Sequence, residues 1–153
     1  LEYNHEKSGM DYIALGHIHQ RSIPKKVGDT YIAYSGCPEG LGFDELGEKG
    51  VYIGEIDKNF CNLTFVKTAK RMHIEEKIDV TSCENSPEIY EKIIETLIGK
   101  YGESYTENLY KIILCGEIKE GTEINLTEIN ERLKEKVYFV KVKDKTSFTF
   151  LFD

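Results

Sequence analysis

The chain has 153 residues and a mass of 17.6 kDa, enough for one ordinary domain or two small ones. Its 40% hydrophobic content, with ten Tyr, seven Phe and only three Pro, can bury a core, which excludes disordered and collagen-like classes. A net charge of −7 excludes recruitment of nucleic acid by a global basic field, and no apolar run reaches the ~18–20 residues of a membrane span.

The first residue is Leu1, and Gly9 leads straight into a buried-looking segment, so the expectation is a piece of a longer protein. No charged-then-apolar leader opens the chain. Cys37, Cys61, Cys83 and Cys115 form no CxxC pair, and a chain with a real core needs no disulfide framework. Buried free thiols in a reducing cytoplasm are expected.

In chain order, Tyr12–Leu15 is a continuous apolar run ending at Gly16, the pattern of a strand covered on both faces. Thr30–Tyr34 reads as a second strand, closed by Ser35-Gly36-Cys37-Pro38. From Gly36 to Gly50 the chain carries five glycines and four acids, a long structured loop of the kind that often holds function. Val51–Ile56 alternates, turns at Asp57-Lys58-Asn59 and returns as Asn62–Val66, which predicts a hairpin.

A change of character near Lys70 places a boundary there, giving expected domains of 1–68 and 69–153. Arg71–Thr81 reads as a strand. Ser86-Pro87-Glu88 supplies an N-cap, a proline at the first helical position and an acid in the first turn. Ile89, Ile93, Ile94, Leu97 and Ile98 follow at helical spacing, with Gly102 as the stop. Leu109–Leu114 is a strand, and Asn125 with Glu128 caps a second amphipathic helix through Leu133. Val137–Val142 and Phe148–Phe152 close the chain as strands. The second half therefore reads β-α-β-α-β-β, a compact two-layer α/β unit.

The segment that could carry chemistry is Gly16-His17-Ile18-His19, directly after the first strand. Histidines at i and i+2 of extended chain project to one side, so both rings can reach one site. Neutral imidazole suits zinc, manganese or iron, and the pair could bind one ion or bridge two. Glu39, Asp44, Glu45 and Glu48 crowd the following loop, where a shaping role is preferred to direct ligation. Arg21, Lys25 and Lys26 lie just past the histidines and are candidates for phosphate-backbone contact. Lys67, Lys70 and Arg71 form a second basic cluster at the expected boundary.

Asp11-Tyr12-Ile13-Ala14-Leu15-Gly16-His17-Ile18-His19 resembles the GHxH signature of calcineurin-like metallophosphoesterases. Tyr34–Leu41, Phe43-Asp44-Glu45 and Gly47–Val51 are similar to the matching stretch of SbcD-like DNA-repair exonucleases, and Arg71–Thr81 to the start of their capping domain. The resemblance implies an α/β (α+β) fold: the last strands of a phosphoesterase β-sandwich, then a small α/β cap. It implies His17 and His19 as ligands to two divalent ions, manganese by family habit, and DNA as substrate. It further implies an SbcC-like coiled-coil ATPase partner, with a homodimer as an added expectation.

The family's other ligand motifs, DxH, GDxxD and GNH, have no usable counterpart here, so the chain alone is expected to be inactive. Asn4-His5-Glu6 imitates the end of GNH[DE], but only twelve positions separate His5 from His17, and a solvated end is expected. The family often has Ser where this chain has Cys37. Two rival readings stand beside the nuclease: a phosphoesterase for small phosphodiesters or nucleotides, and a non-enzymatic cap that binds an ATPase or DNA.

Overall fold

The computed structural model describes residues 9–119 and 121–149. The chain packs as two units that divide between Met72 and His73. Both contain sheet, the second adds two α-helices, and the fold class is the expected mixed α/β. Among the described residues, no helix is long and apolar enough to cross a membrane.

The first unit holds β1 (Tyr12–Leu15), β2 (Lys25–Val27) and β3 (Thr30–Tyr34) in the order β1-β3-β2. β1 runs parallel to β3, from Tyr12 opposite Tyr31 to Leu15 opposite Tyr34, and β2 is antiparallel. The apolar run of β1 is less covered than its composition predicts: among the described residues only β3 pairs with it, and Ala14 is exposed. β3 is the buried strand of this sheet, with Ile32 and Ala33 inside and the Thr30 hydroxyl donating to the Met10 carbonyl at 2.7 Å. β2 is too short for a period-2 signal and is a strand only because β3 offers its edge.

The expected hairpin forms as β4 (Gly50–Asp57) and β5 (Phe60–Lys67), in register from Gly50–Lys67 to Asp57–Phe60. Its turn is Lys58-Asn59, with Asn59 in the left-handed region at φ 63°, a conformation that asparagine tolerates. Tyr52 and Phe65 meet edge to face with ring centroids 6.0 Å apart, and the Tyr52 hydroxyl donates to the Ser22 carbonyl. That last bond ties the hairpin to the segment leaving β1.

The second unit runs β6 (His73–Asp79), α1 (Ser86–Tyr101), a 3₁₀ turn (Gly102–Glu107), β7 (Leu109–Cys115), β8 (Glu117–Lys119), α2 (Leu126–Lys134), β9 (Phe139–Asp144) and β10 (Ser147–Thr149). β6, β7 and β9 form a parallel sheet in that order, and β8 pairs with β10. The two helical crossovers step across the sheet in one direction, and α1 and α2 pack against each other. The core matches: Ile89, Ile93 and Leu97 of α1 and Ile129 and Leu133 of α2 are buried, with Ile74, Ile78, Tyr110, Ile112, Leu114 and Val140 of the strands.

Helix starts follow side-chain chemistry, with one correction. Asn85, not Ser86, is the N-cap of α1, its side chain accepting from the Glu88 amide at 3.0 Å. Ser86 turns inward, where its hydroxyl accepts from the Asn125 amide at 2.9 Å and so joins the two helix starts. Asn125 caps α2 through the Glu128 amide as predicted. Gly102 ends α1 at φ 57°. The last expected strand is β10; its continuation through Phe152 lies outside the described residues.

Among the described residues of the second unit, one buried position is charged. Glu76 of β6 is buried and accepts from the Tyr101 hydroxyl and from Lys100 Nζ at 2.5 Å, both at the end of α1. Burial and this contact push the Tyr101 hydroxyl well above its ordinary range.

Candidate metal centre

Beyond Leu15 the chain leaves strand geometry. His17 takes a left-handed backbone at φ 73°, unusual for a residue with a Cβ and a mark of a tightly determined turn. The histidine segment is therefore bent rather than extended, because Ser22 must return to pair its amide with the Tyr34 carbonyl at the end of β3. Both His17 and His19 are exposed.

The glycine-rich loop closes against His19. Its base is pinned by the Gly50 amide donating to the Cys37 carbonyl at 3.1 Å, and by the Thr68 hydroxyl donating to Pro38 at 2.6 Å. Gly36, at φ 81°, approaches so closely that a Cβ there would lie 2.8 Å from the His19 carbonyl oxygen. The same oxygen accepts from Lys49 Nζ at 3.4 Å and faces the Cys37 thiol at 3.7 Å. Lys49 is a buried cation, 5% exposed.

Of the four acids in the loop, the fold selects Glu45. One carboxylate oxygen meets His19 Nδ1 and the other accepts the Leu41 amide at 2.7 Å. Its side chain is 11% exposed against 56% for His19. The Leu41 amide first, then the His19 ring, hold its carboxyl below the ordinary carboxylate range. Glu39, Asp44 and Glu48 are exposed.

His19, Cys37 and Glu45 thus bring a nitrogen, a sulfur and an oxygen donor within 4.8 Å of one another. That donor set fits a divalent transition ion. His17 is not part of the cluster, and His73 lies away from it in the chain, on β6 of the second unit. His5 lies outside the described residues. Lys49 escaped the sequence reading, since one lysine between Glu48 and Gly50 carries no periodic signal.

The basic candidates are placed differently from one another. Arg21 lays its guanidinium 3.8 Å over the Phe65 ring. Lys26 sits 5.5 Å from the Tyr31 ring centroid and 4.0 Å from Asp29, while Lys25 is exposed on β2.

No family model matches the chain. It is 27% identical over 134 residues to an uncharacterized metallophosphoesterase, YhaO, of Bacillus subtilis, covering 85% of this chain and 32% of that protein. It is 28% identical over 159 residues to the DNA double-strand break repair protein Mre11 of Methanococcus maripaludis, covering 88% of this chain and 42% of that protein. The chain spans about a third of the first relative and about two fifths of the second. The chain is thus similar to part of a metallophosphoesterase and to part of a DNA double-strand break repair protein.

Proposed function

We propose that residues 1–68 supply the closing strands and the last metal ligands of an SbcD-like phosphodiesterase, and residues 69–153 its cap. The parent hydrolyses DNA phosphodiesters in the cytoplasm and works with an SbcC-like ATPase. The observation that carries this reading is the placement of His19 in the turn that follows β1, clasped by a loop that presents further donors. The similarity to a metallophosphoesterase and to a DNA double-strand break repair protein supports it.

In this reading His17 and His19 hold two divalent ions, manganese by family habit, together with ligands from outside this chain. Ions so held stabilise charge on the attacking and leaving oxygens of the phosphodiester. Lys49, Cys37 and Gly36 keep the His19 backbone in place. Arg21, Lys25 and Lys26 contact the phosphate backbone, with Arg21 oriented by Phe65.

The test uses a parent protein carrying His17→Ala or His19→Ala, assayed on duplex DNA and on a small chromogenic diester. Loss of bound manganese and of DNA turnover, with melting temperature retained, is expected. Preference for the small diester would replace DNA as the substrate. Full turnover and full metal content in both variants would end the reading.

A further inference from the structure

We propose that Glu45 is a positioning residue that fixes the tautomer of His19, leaving Nε2 as the metal-binding atom. The inference deepens the metal-centre reading and rests on it. A neutral imidazole carries one N–H and one lone pair, and an ionised carboxylate can only accept. The contact of Glu45 with Nδ1 therefore places the ring proton on Nδ1 and the lone pair on Nε2.

The alternative, in which Glu45 itself ligates, meets two obstacles. Both its oxygens are already engaged, one with the ring and one with the Leu41 amide. Its side chain is packed into the loop while His19 stands out to solvent. A carboxylate held behind a ligand histidine sets the ring's orientation and raises the basicity of the outer nitrogen. The loop adds a second constraint: Lys49 and the close approach of Gly36 hold the His19 carbonyl, so ring and backbone are fixed from one side. The acid cluster thus separates into one residue that acts through His19 and three that face water.

The experiment is long-range proton–nitrogen NMR on the chain with labelled histidine, without metal, at mildly alkaline pH. Wild-type His19 is expected as the Nδ1–H tautomer. Glu45→Ala should shift it toward Nε2–H and leave His17 unchanged, while Glu45→Gln, whose amide oxygen still accepts, should retain Nδ1–H. Manganese titration should find binding about 10- to 100-fold weaker in Glu45→Ala, with rescue by Glu45→Gln. A wild-type ring protonated on Nε2, or one unmoved by Glu45→Ala, overturns the proposal. So does zinc or manganese that displaces the Nδ1 proton and binds Cys37 and Glu45 directly. Tautomer control by Glu45 with metal binding independent of His19 would keep the tautomer assignment but overturn Nε2 as the metal-binding atom, and the metal-centre reading with it.

Discussion

Gly36 and the His19 carbonyl are neighbours with no room between them: a Cβ built on Gly36 stands 2.8 Å from that oxygen. The contact joins the end of β3 to the segment after β1, two pieces of chain that the parallel pairing of those strands brings together. Gly36→Ala would meet both this clash and an unfavourable φ of 81°. The expected cost is roughly 1–3 kcal/mol of stability, with weaker manganese binding as His19 shifts. Thermal denaturation and metal titration on the same sample check it; an unchanged variant would mean the loop is not seated on His19.

The buried Glu76 should be worth more to the second unit than its exposed neighbours. Glu76→Ala strips the Tyr101 hydroxyl of its acceptor and removes the partner of Lys100. Tyr101 is half-buried, so the unpaired donor should cost toward the lower end of the roughly 1–3 kcal/mol of a fully buried one. Glu76→Gln, which keeps an acceptor, should lose less, and the Glu76→Ala/Tyr101→Phe double variant should lose less than the sum of the singles. Additive losses would deny the coupling.

Acid should weaken a turn at the end of β6. Asp79 accepts from the Thr81 hydroxyl at 2.6 Å and the Thr81 amide at 2.9 Å, and these bonds hold its carboxyl below the ordinary range. Gly116 packs against the pair so tightly that a Cβ there would meet both side chains. A carboxyl depressed in the folded state contributes stability above the unfolded value, near about 4, that is lost as pH falls through the folded value. Thr81→Val removes the hydroxyl, so its melting-temperature deficit should be largest near neutrality and narrow in acid. A deficit independent of pH would assign the effect to packing.

The corrected cap of α1 is also testable. Asn85→Ala should cost about 1 kcal/mol by removing the acceptor for the Glu88 amide. Ser86→Ala should act differently, since Ser86 serves the Asn125 amide at the start of α2. Helix-resolved hydrogen exchange separates them: the first variant loosens the first turn of α1, the second both helix starts.

Sequence alone determined the elements whose signals are local. The β4–β5 hairpin, the Asn125 cap, the Gly102 stop and the apolar stripe through Ile89, Ile93 and Leu97 all follow from periodicity and capping chemistry within a few residues. The GHxH segment was legible for the same reason, as a short motif after a strand. Tertiary structure decided what depends on distant partners. β2 and β8 exist because neighbouring strands offer edges to three-residue segments too short to show a period. Ser86 gave up the capping role because α2 places the Asn125 amide against it. Glu45 was selected from four acids only when folding carried it to His19, 26 residues away in sequence, where a hydrogen bond depends on distance in space and not along the chain.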